Sequence, residues 1–221
     1  MTRKTVGLAA LLMIVTLSGI SAAVGLSLPG EVQLPVHWGL NGEPDRFSGK
    51  WTALLMPPLI VGAVSLLFFF LPALEPRKEG LERSRGLYLW GWIALLMMGG
   101  VIELTVVSVA LGWGLPVNKL VTAGVGAMLV MVGNQLGKSR SMYMIGLRTP
   151  WTLASEEVWI RTHRVGGKLM VLVGLLSIAA ALHPLPPAVL MQVMRVLVLA
   201  AVLVPVVYSY LLWRRERQAS E

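Results

Sequence analysis

Residues 133–168 read GNQLGKSRSMYMIGLRTPWTLASEEVWIRTHRVGGK and form the longest polar interruption of an otherwise apolar sequence. This stretch carries six Lys and Arg residues against two Glu residues, and it lies between two segments long enough to be helices in a bilayer. Cytoplasmic loops of membrane proteins carry an excess of basic residues. The stretch therefore predicts a polar loop on the cytoplasmic side of a membrane protein.

The composition of the whole chain indicates an integral membrane protein. Of its 221 residues, 56% are hydrophobic and 14% are charged, which a soluble core does not explain. The net charge of +8 would suggest nucleic-acid binding in a soluble chain, but here the basic residues cluster at the ends of apolar segments. Such residues set topology and contact anionic membrane lipid, so we expect no direct nucleic-acid partner. Because the chain has no cysteine, disulfides and thiolate sites are excluded. We expect no cofactor and no metal.

Six apolar segments have about the 20 residues that a spanning helix needs. They are residues 6–28, 51–74, 87–111, 117–136, 167–183 and 187–213. The first is interpreted as an uncleaved helix, because its apolar run exceeds a usual signal-peptide core. With both termini inside, 15 of the 19 Lys and Arg residues face the cytoplasm and three face outward. The sequence thus predicts an all-α membrane protein with six transmembrane helices, N-in and C-in.

The loop between the first two segments, residues 29–50, is polar and rich in turn residues. Asn41-Gly42 is a turn signal, and the pieces on either side of it, one of them containing His37 and Trp38, are suited to short extended segments. This pattern predicts a compact cap on the outer face. His37 and Asp45 are expected to meet across the turn, either as a hydrogen-bonded loop contact or, less simply, as an acid/base pair; one His and one Asp are too few for a metal site.

Two charged residues, Glu103 and Arg195, lie deep within apolar segments. Each is eight residues from the outer end of its segment, so at 1.5 Å per residue both are about 12 Å below the outer surface. Intramembrane charges usually pair or line a cavity. We therefore predict an ion pair, which either locks the bundle or forms the floor of an outward-facing polar cavity roofed by the His37 loop.

The polar loop itself contains a predicted helix. Pro150 moves Thr149 away from helical dihedrals, and Ser155 is a suitable cap for an interfacial helix that ends near Arg164. Trp159 and His163 share one face of that helix. Two interpretations remain open: a lipid-anchored interfacial helix, or a docking surface for a partner. The candidate binding residues are Arg148, Thr149, Pro150, Trp151, Trp159, Arg161, His163 and Arg164, together with Asn134 on the packed fourth helix.

Two motifs carry a resemblance to a known family. The block GLRTPWTLASEEVWIRTHRVGG, with Gly133-Asn134 and Lys138 before it, resembles the signature of the SdpI family. The block LPVHWGLNGEPDRFSGK resembles the domain of unknown function common at the amino terminus of that family. The chain departs from the family pattern at Met142, where Asn is frequent, and at Leu147, where Ile is frequent. The expected units are residues 1–74, with outer loop 29–50, and residues 75–221, with cytoplasmic loop 137–167, packed as one bundle.

The resemblance implies a multi-pass bacterial membrane protein that protects the cell from a secreted antimicrobial peptide. It also implies a receptor that captures a cytoplasmic repressor at the membrane when the peptide is present. A different class of function, a small transporter or ion pathway, would use the intramembrane pair Glu103 and Arg195. A hydrolase is disfavoured, because the chain lacks a zinc HExxH motif and a nucleophile elbow. We therefore expect a protein that is not an enzyme.

Overall fold

A computed structural model describes residues 1–39 and 41–220 of the chain. The chain forms a bundle of long helices with a small sheet at one end. The long helices are α1 (Arg3–Ser27), α2 (Lys50–Leu74), α4 (Arg85–Ala110), α5 (Val117–Leu136), α7 (Glu156–Leu182) and α8 (Pro187–Ser220). The short elements are α3 (Lys78–Arg83), α6 (Pro150–Ala154), β1 (Gln33–Trp38) and β2 (Pro44–Gly49).

The six long helices confirm the predicted number of membrane spans. Within the described ranges, six helices are long and apolar enough to cross a membrane. In order of packing, α1 and α2 lie against α4, α4 lies against α5, and α7 and α8 complete the other side of the bundle. Many large side chains on the outside of these helices are apolar and exposed, as expected for surfaces that face lipid.

The fifth span differs from the prediction. A separate interfacial helix over residues 155–164 is wrong, because α7 runs without interruption from Glu156 to Leu182. Ser155 caps this helix as predicted, with its side chain accepting a hydrogen bond from the Val158 N–H at 3.2 Å. No proline interrupts the chain between this cap and the apolar segment, so the amphipathic turns and the span form one helix. Among the residues of this loop that the structure describes, the one separate helix is the short element α6.

The loop between α1 and α2 folds as an antiparallel hairpin of β1 and β2. The all-α fold class therefore needs correction, since the predicted cap contains two paired strands. Pairing satisfies the backbone polar groups of a loop that would otherwise lie against apolar helix ends. The hairpin also contacts the far side of the bundle, where the Asn118 side chain donates to the Gly42 carbonyl at 2.9 Å.

The two ends of the bundle are therefore distinct. The hairpin end carries β1 and β2 and the connections before α5 and α8. The termini end carries the start of α1 and the end of α8; there, Arg85 donates to the Met1 carbonyl at 3.1 Å. The termini end also carries α3, α6 and the central loop, which we define as residues 137–155.

Helices α5 and α7 make the most intimate contact of the bundle, and glycines permit it. A methyl group added to Gly167 would lie 2.7 Å from the Gly133 carbonyl oxygen, and one added to Gly174 would lie 2.5 Å from the Gly126 carbonyl oxygen. Small residues of this kind let membrane helices approach backbone to backbone. This contact fixes the position of α7 against α5 and hence the base of the central loop.

Helix α2 is continuous through three internal prolines, Pro57, Pro58 and Pro72. Pro58 has no N–H, so it cannot donate to the Leu54 carbonyl as a helical residue would. The Ser21 hydroxyl of α1 lies 2.8 Å from that carbonyl and is completely buried. A polar side chain from the neighbouring helix thus lies within hydrogen-bond distance of the carbonyl that Pro58 leaves without its backbone donor.

Candidate functional site

An apolar cavity of about 470 Å³ lies between α2 and α4, directly beneath the hairpin. Val36 and Trp38 of β1 form its upper edge, and Pro57 and Gly99 lie in its walls. Polar groups in the lining are few and lie near the hairpin or on α4. The complete lining is Val36, Trp38, Ser48, Thr52, Ala53, Met56, Pro57, Ile60, Val61, Val64, Leu95, Leu96, Met98, Gly99, Ile102, Thr105 and Val106. The cavity can accept an apolar group of moderate size.

The predicted ion pair between Glu103 and Arg195 is wrong. Glu103 is 2% exposed, and its Oε1 lies 2.7 Å from the Ser21 hydroxyl. Arg195 forms no ion pair within the part of the chain that the structure describes, and its Nε and Nη2 have no hydrogen-bond partner there. The reason is the placement of the helices: α4 packs against α1, α2 and α5, whereas α8 packs against α5 and α7, so the two helices are not close neighbours. Equal depth does not make two residues face each other.

The prediction of a polar cavity is therefore also wrong, because the cavity beneath the hairpin has a mainly apolar lining. Neither Glu103 nor Arg195 lines the space beneath the hairpin, and His37 is absent from its lining as well. Glu103 points instead toward α1, where Ser21 is its partner. The hairpin does roof a cavity, but the residue that contributes from the predicted set is Trp38.

His37 and Asp45 meet across the hairpin as predicted. The His37 Nδ1 and the Asp45 Oδ1 are 2.5 Å apart, and about half of each side chain is exposed. The pair connects β1 with the first residues of β2 beside the turn. Its position is that of a strand-to-strand contact that stabilises the roof of the cavity.

At the termini end, a buried carboxylate holds the central loop. Glu75 follows α2 directly and is 0% exposed. Its oxygens accept the backbone N–H groups of Arg77 at 2.9 Å, Tyr143 at 3.0 Å and Met144 at 2.7 Å. A carboxylate that accepts several backbone N–H groups forms charge-assisted hydrogen bonds, which are stronger than neutral ones. Glu75 therefore fastens the loop to the end of α2.

Arg77 makes a second set of contacts between the same two segments. Its guanidinium donates to the Ser141 hydroxyl, to the Tyr143 hydroxyl at 3.3 Å and to the Leu153 carbonyl at 3.2 Å. The guanidinium carbon also lies 4.5 Å from the centre of the Tyr143 ring. The planar fork of arginine suits such divergent acceptors, and its face stacks on aromatic rings. We call Glu75, Arg77, Ser141, Tyr143 and Met144 the loop clamp.

Trp159 and His163 share one helix face, as predicted, but that face is turned into the protein. Both side chains are 0% exposed and their rings stack with centroids 4.0 Å apart. The Leu147 N–H donates to His163 Nε2 at 2.9 Å, so the ring proton is on Nδ1, which donates to the Trp159 carbonyl at 2.8 Å. Gly146 passes above the two rings with φ 121°, a conformation that favours glycine. These two residues are thus part of the loop's support and not of an exposed docking surface.

Thr149 is not helical, as Pro150 predicted, and the short helix α6 begins after it. Thr149 is extended and caps α6, accepting a hydrogen bond from the Thr152 N–H at 3.2 Å, and Pro150 is the first helical residue. The Trp151 indole N–H donates to the Ser209 hydroxyl of α8. The Trp151 ring also packs on Tyr210 and Trp213 of that helix. Trp151 therefore attaches the central loop to α8.

The remaining predicted loop residues lie at the surface. Arg148 is exposed and donates to the Tyr143 carbonyl at 2.6 Å. Arg161 pairs with Glu157, four residues before it on α7, at 2.5 Å. Arg164 and Asn134 are exposed on α7 and α5, where they line one shallow cleft. The structure therefore divides the predicted docking surface into a buried support and separate exposed cations.

The sequence analysis did not identify the residues of the loop clamp. Glu75 and Arg77 lie just beyond an apolar segment, where charged residues are common and usually solvated. Glu75 could have been recognised from its position in the sequence. It is a single acidic residue between Leu74 and Pro76, just before the cations that mark the end of the apolar segment. Its partners are backbone N–H groups about 68 residues later, which side-chain patterns do not reveal.

The spans, the hairpin cap and the clamped loop define a multi-pass integral membrane protein. Residues 138–209 match the SdpI/YfhL protein family, and residues 12–61 match a domain of unknown function, DUF1648. The chain is similar to the Immunity protein SdpI of Bacillus subtilis (strain 168), with 27% identity over 183 residues, or 83% of this chain and 84% of that protein. These matches confirm the resemblance drawn from the sequence and a location in the bacterial cell membrane. No solved structure matches the chain.

The two matched regions fall on the two sites described above. Residues 12–61 include the hairpin and the part of α2 that lines the cavity from Thr52 to Val61. Residues 138–209 include most of the central loop, its contacts with α7 and the Ser209 contact on α8. Glu75 and Arg77, which hold the loop, lie between the two matched regions.

Proposed function

We propose that this protein is a membrane immunity protein that protects the cell from a secreted antimicrobial peptide by binding an apolar part of that peptide in the cavity beneath the hairpin. The observation that carries the proposal is the cavity of about 470 Å³ with an apolar lining. The similarity to an immunity protein supports the same function. The proposed orientation has the termini end in the cytoplasm, which follows from the distribution of Lys and Arg.

In this orientation the cavity lies at the end of the bundle from which a secreted peptide arrives, directly beneath the hairpin. Burial of apolar surface contributes about 25 cal/mol per Å², so a few buried side chains of a peptide are enough for binding. The exposed wall residues Met56, Ile60 and Ile102 would contact the peptide first. Trp38 and Ser48 at the hairpin edge supply an amphipathic rim, which suits a peptide with a polar end.

We further propose that the central loop serves as the cytoplasmic signalling surface and captures a repressor protein when the peptide is bound. Helix α2 supports this idea, because the same helix contributes Pro57 to the cavity wall and ends at Glu75, which holds the loop. A ligand that binds in the cavity and shifts α2 would therefore also move the residue that holds the central loop. The exposed candidates for contact with a repressor are Arg148, Arg161 and Arg164.

The alternative function, a transporter or ion pathway, depended on a charged pair within the bundle. Glu103 and Arg195 do not form that pair, and neither lines the cavity. No other observation favours transport. The proposed function involves binding and not catalysis, in keeping with the name of the relative.

The test compares two tryptophan substitutions on α4. Ile102 lines the cavity and is 40% exposed, whereas Leu104 is 41% exposed and lies outside the cavity lining. The chain, Ile102→Trp and Leu104→Trp are expressed at equal membrane abundance in a sensitive bacterium, and survival is measured against the purified killing peptide. We expect Ile102→Trp to lose protection and Leu104→Trp to retain it. Equal protection by both variants would overturn the cavity assignment, and no protection by the parent would overturn the immunity function.

A further inference from the structure

A basic cleft lies between α5 and α7 at the termini end, on a side of the bundle away from the apolar cavity. It has a volume of about 370 Å³. Its charged lining consists of Lys138, Arg164 and Lys168, and Asn134 adds one amide. Every one of these side chains is exposed. The cleft therefore presents three positive charges and a hydrogen-bonding amide together.

The three cations have no acidic partner among the described residues. The acids nearest in the chain are Glu156, which accepts from the Ser141 N–H at 3.2 Å, and Glu157, which pairs with Arg161. Arg164 and Lys168 are four residues apart on one helix, a spacing at which like charges repel. Close packing keeps Lys138 near them, since a methyl group on Gly137 would lie 3.4 Å from the Arg164 Cα. An arrangement of like charges without a counterion in the protein is stabilised by a bound anion.

A second, apolar groove adjoins the basic cleft. It has a volume of about 320 Å³ and is lined by Trp90, Val130, Met131, Asn134, Gln135 and Val171. Asn134 and Val171 line both spaces, so the cleft and the groove are continuous. The groove lies on membrane-spanning helices, whereas the cleft lies at their charged ends. A ligand that fills both must have an anionic head and an apolar tail.

We propose that this composite site binds one anionic phospholipid, with its phosphate among Lys138, Arg164 and Lys168 and an acyl chain along the groove between Trp90 and Val171. Basic pockets between transmembrane helices on the cytoplasmic side recognise anionic headgroups in this way. Arg164 suits bidentate contact with phosphate oxygens, and the two lysines add charge. The close glycine contact between α5 and α7 brings Lys138, which follows α5, near the two cations of α7. The bound lipid would fasten α7 against α5 at the base of the central loop.

The test measures lipid retention by the purified full-length protein in detergent, using native mass spectrometry with phosphatidylglycerol or phosphatidylcholine. The test variant is the double substitution Arg164→Gln and Lys168→Gln. The control is Lys78→Gln and Arg83→Gln, which also removes one Lys and one Arg at the termini end. Lys78 donates to the Pro72 carbonyl at 2.6 Å and Arg83 pairs with Glu79, so neither belongs to the cleft. Equal thermal stability of all three proteins verifies folding.

We expect the parent and the control to retain phosphatidylglycerol over phosphatidylcholine. Each basic residue near an anionic lipid contributes about a fivefold gain in affinity, so the double variant should lose about 30-fold. Unchanged retention in the double variant, or equal retention of both lipids by the parent, would overturn the proposal. Glycerol phosphate, which has the headgroup phosphate but no acyl chains, is tested as a competitor. If it displaces phosphatidylglycerol at equal concentration, the groove contributes nothing to the affinity and the lipid assignment fails. Loss of repressor capture with unchanged lipid retention would show a protein-docking surface instead.

Discussion

The two ends of this protein are built on opposite principles. Beneath the hairpin, α2 and α4 leave a space whose walls are lined mainly by apolar side chains. At the other end, the same α2 terminates in Glu75 and Arg77, whose hydrogen bonds fix a loop nearly 70 residues away in the chain. Apolar packing has no directional requirement, whereas charge-assisted hydrogen bonds need particular atoms at particular positions. The cavity end should therefore tolerate many substitutions, and the clamp end should tolerate few.

The largest effect is expected for Glu75→Ala. The substitution leaves the N–H groups of Arg77, Tyr143 and Met144 without their acceptor. Removal of one partner from a buried charged network costs about 3–5 kcal/mol. Thermal unfolding in detergent and protease cleavage of the central loop measure the change. Glu79→Ala is the control, because the Glu79 side chain is 77% exposed. If both variants lowered the unfolding temperature by a similarly small amount, the clamp end would not be the more demanding end of the protein.

Gly167→Ala should have the next largest effect. The added methyl group would meet the Gly133 carbonyl at 2.7 Å, so α5 and α7 must separate at the base of the loop. Overpacking of this kind costs about 1–3 kcal/mol. Gly19→Ala is the matched control in α1, because nothing lies within 4 Å of its added methyl group. Cross-linking between cysteines placed on α5 and α7 reports the separation, and an unchanged cross-linking pattern would contradict this explanation.

A comparison of Arg77→Lys with Arg148→Lys would sharpen the role assigned to the clamp. Arg77 reaches three acceptors and stacks on Tyr143, which the single ammonium of lysine cannot reproduce. Loss of these contacts should cost about 2 kcal/mol. Arg148 is exposed and makes one backbone contact, so its lysine variant should lie within about 0.5 kcal/mol of the parent. Chemical unfolding of both variants measures this order, and the reverse order would assign the loop's support to Arg148.

The smallest effect is expected at the hairpin, for His37→Asn. The His37–Asp45 pair is half exposed, and exposed ion pairs contribute about 0–1 kcal/mol. A double-mutant cycle with Asp45→Asn isolates the coupling between the two side chains. A coupling energy well above that range would mean that the roof of the cavity is held as specifically as the clamp.

Hydropathy and charge identified the spans because membranes impose strict requirements on length and backbone hydrogen bonding. The hairpin pair His37 and Asp45, the cap at Ser155 and the pair Glu157 and Arg161 were also predictable, since each depends on neighbours close in the chain. The family resemblance came from the same source: the motifs around Arg148 and Trp38 lie within the regions that match known families.

The sequence by itself determined how many helices cross the membrane and where local caps and turns form, because these depend on composition and short spacing. The tertiary structure alone decided which way each helix faces. It placed Glu103 beside Ser21 on a helix that does not pack against the helix of Arg195, buried Trp159 with His163, and gave Glu75 its distant backbone partners. Hydropathy fixes the depth of a residue in the membrane, but rotation about the helix axis is set by packing against neighbouring helices, which the sequence of one helix does not contain.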